Sequence, residues 1–129
     1  MLQLLNLKSI KNIESPLLDS ATVFQTANGN ERIYMMPFDS DTIMWQLSFP
    51  LSEDEAKHLS AQGPMALKEE ACKRTQWHDP IPQIIETTQE TLISGYPVYD
   101  RALLSKELME KGRQITLMGD AAHPMSPFK

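Results

Sequence analysis

Hydrophobic and polar positions alternate with a period of two along residues 42–49. Ile43, Trp45, Leu47 and Phe49 fall on one side, and Thr42, Met44, Gln46 and Ser48 on the other. This predicts a strand with one apolar face. Two more strands are predicted before it, over residues 23–26 and 32–38. They flank Asn28-Gly29, a pair that tolerates positive φ and favours a two-residue hairpin turn. Pro37, near the end of the second strand, predicts an edge position or a bulge. Asp39-Ser40-Asp41 supplies the next turn, so the three strands form an antiparallel meander. Upstream, Leu2, Leu4, Leu5, Leu7, Ile10 and Ile13 fit the helical and strand periods only in part, and that segment stays ambiguous.

After Pro50 the pattern changes to helices. Ser52-Glu53-Asp54-Glu55 is a capping box, in which Ser52 caps the Glu55 amide and Glu55 reaches back. The helix it opens runs to about Ser60. Gly63-Pro64 breaks it, and Pro64 suits the first turn of a second helix to about Gln76. Trp77-His78-Asp79-Pro80 is a break, and residues 81–87 make one or two helical turns with Ile84 and Ile85 inward. Residues 91–99 are β-branched and aromatic and predict a strand, with Gly95 marking a bulge. Residues 103–111 predict a short helix closed by Gly112, and residues 115–118 a last short strand. The order gives an α+β fold: an antiparallel or mixed sheet with helices on one face.

The 129 residues suit one domain, and 41% hydrophobic residues suffice for a modest core. A net charge of −5 with no basic block argues against nucleic acid and against anionic lipid surfaces. No apolar run approaches the roughly 20 residues that span a bilayer. The first residues lack the basic, apolar, small-residue order of a signal peptide. The single cysteine, Cys72, permits no internal disulfide, and a cytoplasmic setting is the expectation.

Most chemistry-bearing residues have plain structural explanations. Cys72 sits mid-helix, far from any metal-ligand spacing, and reads as an inert cysteine. His58 reads as a surface residue. Trp77 reads as a packed indole at a helix stop, with His78 able to line a pocket. Met35, Met36 and Met44 suit core filling, or the floor of an apolar pocket, since methionine adapts to irregular shapes. No metal site is expected.

The end of the chain, ITLMGDAAHPMSPFK, is more specific. Gly119 lets the backbone turn and lets a ligand approach closely. Asp120 can accept hydrogen bonds from a ligand hydroxyl pair. Ala121 and Ala122 keep the space open, and Pro124 and Pro127 stiffen the loop. A bare Gly-Asp is common as a plain turn. The full string, LMGDAAHPMSPFK, resembles the second flavin-contacting motif of the FAD-dependent aromatic hydroxylases, the class A flavoprotein monooxygenases. The strands RIYMMPF and TIMWQLSF, the WHDPIP break and YPVYDR resemble the middle region of the same family.

The resemblance implies a substrate-binding-domain-like region over residues 1–114 and the start of a Gly-Asp flavin-binding segment over 115–129. It implies FAD as cofactor and NAD(P)H as co-substrate, with an oxygen atom of O₂ transferred to an aromatic or other electron-rich small molecule. It places Gly119, Asp120, Ala121, His123, Pro127 and Arg101 at the cofactor; Met36, Trp45 and Trp77, apolar and suited to aromatic ligands, are the expected substrate contacts. The family's G-x-G-x-x-G turn has no counterpart here, because the five glycines are isolated. Nor does the G-x-G-x-N helix start appear, and Ala102-Leu103 follows Arg101 where the family commonly has Asp-Pro. The expectation is a truncated portion of such an enzyme, inactive by itself. It would form a homo-oligomer where strand 115–118 pairs with another chain. The alternative is a non-catalytic interaction module derived from the same fold. An unrelated hydrolase or metal site at His123 lacks any nucleophile or second ligand at fixed spacing.

Overall fold

The computed structural model describes residues 2–9, 13–99 and 116–123; over residues 2–9 it describes the backbone, and of the side chains only Leu4. The chain divides into two units, Met1–Pro97 and Val98–Lys129, each described by itself. In the first, five strands form one sheet: β1 (Leu2–Ser9), β2 (Phe24–Asn28), β3 (Glu31–Pro37), β4 (Thr42–Phe49) and β5 (Ser94–Pro97), in the order β2-β3-β4-β1-β5. Every strand pairing is antiparallel. The expected meander is β2-β3-β4, but its first turn falls one residue later than expected: Asn28 is the last residue of β2 and pairs with Glu31, so the two-residue loop is Gly29-Asn30, with Gly29 at φ +61°. The ambiguous N-terminal segment is a strand, and it lies between β4 and β5.

Three helices cover one face: α1 (Glu53–Ala61), α2 (Pro64–Arg74) and α3 (Ile81–Thr87). The expected capping box is formed at α1: the Glu55 amide donates to Ser52 Oγ at 3.3 Å, and the Ser52 amide donates to the Glu55 carboxylate at 3.0 Å. The Ser52 hydroxyl then holds the Glu55 carboxyl below its ordinary pKa. Gly63-Pro64 separates α1 from α2 as expected, with Pro64 in the first turn. Between the helices and the sheet lies the core: Leu4, Ile33, Met35, Ile43, Trp45, Leu47 and Phe49 from the strands, and Ala56, Leu67, Ala71, Ile81, Ile84 and Ile85 from the helices. The side of β4 predicted to be apolar is the side that is buried. Arg74 closes the sheet's lower rim: it ion-pairs with Glu31 of β3 and Glu70 of its own helix, and its guanidinium lies 4.1 Å from the Phe49 ring centre.

The segment expected as strand 91–99 is split. Glu90–Leu92 is a single 3₁₀ turn, and β5 covers only four residues. Gly95 marks no bulge, because the register of β5 against β1 runs unbroken through Leu4↔Gly95. Of the last expected strand, Ile115 lies outside the described residues, and Thr116, Leu117 and Met118 have no strand pairing among the described residues. The expected helix over 103–111 lies outside the described residues.

A turn before β2 carries the strongest titration signature. The Asp19 carboxylate accepts from the Thr22 hydroxyl at 2.6 Å and from the amides of Thr22 and Ala21 at 2.6 and 2.9 Å. Led by the Thr22 hydroxyl, these bonds lower its pKa to about 2. A depressed carboxyl contributes stability above its unfolded pKa, and that contribution fades as pH falls toward 2. Asp19→Asn is therefore expected to lower the melting temperature at pH 7 and to match the parent near pH 2. An equal deficit at both pH values would show that the charge is irrelevant.

Candidate functional site

The Gly-Asp turn and the sheet face turned away from the helices carry the candidate chemistry. They belong to different units. At the first, Gly119–Ala121 forms a 3₁₀ turn entered from extended Met118. Gly119 adopts φ +57°, and a Cβ there would meet nothing within 4 Å. Glycine is thus required for its conformation and not for space. The Gly119 carbonyl accepts from the amides of Ala122 and His123 at 2.9 and 3.0 Å, which closes the turn. Asp120 is exposed at its apex, and its carboxylate accepts no hydrogen bond from another described residue. Ala121 and His123 are exposed beside it. Arg101 and Pro127 lie outside the described residues.

The second feature follows from strand alternation. Ladder register places side chains of the outer face in cross-strand rows: Ala27, Arg32, Ser48 and Tyr96; then Gln25, Tyr34, Gln46 and Ser94; then Met36 and Met44. Tyr34, Met36, Met44 and Gln46 are half-buried. Met36 therefore sits on this face, next to Met44. Trp45 does not. Its indole is fully buried on the helix side, where the ring N–H donates to Thr88 Oγ1 at 3.2 Å. Trp77 is half-buried against the same core. The structure thus brings Trp45 and Trp77 to one side of the sheet and Met36 to the other, so these three do not line one surface. Tyr34, Gln46, Arg32 and Tyr96, absent from the expected site residues, share the face with Met36. The period of two was the signal for their face, but the row each occupies is set by the Gly29-Asn30 loop, one residue beyond the turn expected at Asn28-Gly29.

Elsewhere, a shallow cleft of about 390 Å³ is lined by Lys68, Thr87, Thr88, Gln89, Glu90 and Thr91. The Thr88 hydroxyl there is spent, donating to the Ile84 carbonyl and accepting from Trp45. Cys72 is a poor nucleophile, because burial pushes its thiol pKa up. Among the described residues there is no cluster of three or more metal-ligating side chains, and no helix long and apolar enough to cross a membrane.

Comparison with known proteins finds two similar folds and one similar sequence. The chain superimposes over 98% of its length on HpxO of Klebsiella pneumoniae, solved with FAD, in an R204Q form (TM-score 0.57, 13% identity, 30% of that chain). It does so again on PqsL of Pseudomonas aeruginosa, solved with 2-aminobenzoylacetate (TM-score 0.53, 19% identity, 32% of that chain). At these identities the likeness is one of fold. In sequence, the chain is 32% identical over 96 residues to the aurachin C monooxygenase/isomerase of Stigmatella aurantiaca, which covers 74% of this chain and 23% of that protein. No protein-family model matches. The chain spans about a quarter of the length of that curated relative. In sequence the chain is thus similar to a monooxygenase, and in fold to HpxO and PqsL, in keeping with the expected resemblance to the FAD-dependent aromatic hydroxylases.

Proposed function

We propose that this chain forms the substrate-side sheet and the Gly-Asp flavin contact of an FAD-dependent monooxygenase. Its substrate is an aromatic or other electron-rich small molecule, and NAD(P)H and O₂ are consumed. The observation that carries the reading is the 32% identity to a monooxygenase over 96 residues. FAD, when bound, supplies the redox chemistry that activates O₂. The residues present fit the ribityl or ribose side of the cofactor. Asp120 is an exposed carboxylate at a rigid turn, with acceptor capacity unspent among the described residues, and so can hold a hydroxyl pair. They do not supply a phosphate cradle, since no two glycines stand in a G-x-G spacing. Met36 and Met44 offer a soft apolar floor for a ring, and Tyr34 and Gln46 offer hydrogen bonds at its side.

Titration of the chain with FAD, followed by flavin fluorescence, tests this. The expected result is weak binding that Asp120→Ala weakens about tenfold or more, the effect of losing hydrogen bonds to a charged group. Binding unchanged by Asp120→Ala would overturn the assigned role. Oxidation of NAD(P)H by this chain with FAD added would contradict the view that catalysis needs further protein groups.

A further inference from the structure

One side-chain pair joins β2 to the break between α2 and α3, and the flavin reading makes no use of it. Thr26 alternates with Phe24, which packs against the core, so its side chain lies on the helix side of the sheet, opposite to Met36. His78 belongs to the break, where Trp77-His78-Asp79-Pro80 separates the two helices. Thr26 Oγ1 and His78 Nε2 are 2.8 Å apart. On the other side of the ring, His78 Nδ1 lies 2.8 Å from the Asp79 carbonyl oxygen. A carbonyl only accepts, so Nδ1 carries the proton. In the neutral ring Nε2 is then bare, and the Thr26 hydroxyl donates to it. A hydroxyl, a ring nitrogen that takes its proton and a third group that fixes the ring are the parts of an activated nucleophile. His78 is exposed and Thr26 half-buried, so a small molecule in solution can reach the pair.

The sheet edge adds a donor. β2 is the outer strand of the described sheet. The two-residue loop Gly29-Asn30 closes on a hydrogen-bonded pair, Asn28 with Glu31. Such pairs alternate along an antiparallel ladder, so Thr26 with Ile33 is another, and the Ala27 amide points away from β3 to the open edge. The N–H of the residue after the nucleophile thus stands beside the place where an oxyanion would form on Thr26 Oγ1.

We infer that Thr26 and His78 form an acyl-transfer site, separate from the flavin chemistry, that accepts short acyl groups from aryl esters. Thr26 Oγ1 attacks the ester carbonyl carbon, and its proton passes to His78 Nε2. The oxyanion that forms meets the Ala27 N–H. The bond from the carbonyl carbon to the aryl oxygen then breaks, and the aryl oxide leaves with the electron pair. Thr26 is left as an ester, and the imidazolium gives its proton to solvent. In the second half, water loses a proton to Nε2 and attacks the acyl carbon; that proton goes to Thr26 Oγ1 as the carboxylic acid leaves. The sum is ester and water to acid and phenol. The site selects its substrate class. The pair offers one base and one amide donor, which suits a leaving group that departs without a proton. The threonine methyl crowds Oγ1, which favours a short acyl chain.

The probe is p-nitrophenyl acetate, given to the full chain without flavin, so the result does not depend on the monooxygenase reading. Release of p-nitrophenolate is followed by absorbance, and the acetylated residue is located by peptide mass mapping. The expected result is a burst of p-nitrophenolate, with the acetyl group on Thr26. Thr26→Val, which keeps the shape and the strand preference, removes both. Thr26→Ser keeps both. His78→Gln slows the burst about a hundredfold, the usual reach of a positioned base. His58→Gln leaves the burst unchanged: His58 Nε2 faces the Gln62 side-chain amide at 2.9 Å, and that amide is no nucleophile. Thermal melts of the four variants confirm that each is folded. A burst that survives Thr26→Val but is lost in His78→Gln would make the imidazole itself the nucleophile and overturn the assignment of Thr26. An equal loss in His58→Gln, or no acetyl group on Thr26 in the parent chain, would overturn the site as a whole.

Discussion

Replacing Trp45 by alanine is expected to destabilise the chain by about 3–5 kcal/mol, the range for deleting a fully buried large aromatic. Trp45 has no exposed surface, and it sits mid-strand in β4 with Met35 and Asn6 as its ladder neighbours. Its indole reaches across the core to the end of α3, where Thr88 accepts from the ring N–H. The side chain therefore ties sheet to helix by contact area and by one bond. The area dominates. A single neutral hydrogen bond contributes only about 1 kcal/mol net, and truncation leaves no orphan donor, since the Thr88 hydroxyl still donates to the Ile84 carbonyl. The cost is thus mainly the cavity. Trp45→Phe, which keeps most of the ring, is expected to lose far less. Thr88→Val should cost about 1–3 kcal/mol, by stranding the buried N–H. Urea melts of the three variants give the order Ala, then Val at position 88, then Phe. A loss under about 1 kcal/mol for Trp45→Ala would show that the indole is not central to the core.

This residue also shows how sequence and site diverge. Trp45 was expected at the substrate because large aromatics suit aromatic ligands. Its alternation partners Ile43, Leu47 and Phe49 already assigned it to the apolar side of β4. Once helices cover that side, it belongs to the core. Local pattern was enough for the meander, the α1 capping box and the break before α2, because each is decided by neighbours in sequence. It was not enough for β1. Leu2, Leu4, Leu5 and Leu7 satisfy two periods at once, and only the long-range pairing with β4 and β5 settles the matter. The Gly-Asp turn was legible for a different reason. Its meaning lay in a whole string of residues, and the positive φ of Gly119 follows from that string locally. The outer face was half legible: alternation named Met44, Gln46 and Ser48, but Arg32 and Tyr96 join them only through register.

Gly95→Val is expected to cost about 3 kcal/mol, at the upper end of overpacking, for a reason composition does not reveal. Gly95 lies outside the left-handed region, so its conformation asks for no glycine. Space does. A Cβ at this position would lie 2.5 Å from Leu4 Cδ2 and 3.0 and 3.2 Å from the two methyls of Leu67. Leu4 has no exposed surface and Leu67 only 3%, so neither can swing into solvent. The strand cannot readily retreat either, since the Gly95 carbonyl accepts from Ser60 Oγ at 2.8 Å and its backbone pairs with Leu4. Gly29→Ala offers the contrast. There φ is +61° and nothing lies within 4 Å, so the cost is backbone strain alone, about 1 kcal/mol. The two mechanisms separate in double variants. Trimming Leu67 to alanine should reduce the cost of Gly95→Val, giving a coupling of about 1 kcal/mol or more, and should leave the cost of Gly29→Ala unchanged. Strict additivity of Gly95→Val with Leu67→Ala would mean that β5 shifts away from α2 as a unit. In that case the close approach of Gly95 would not be what holds the edge of the sheet against the helices.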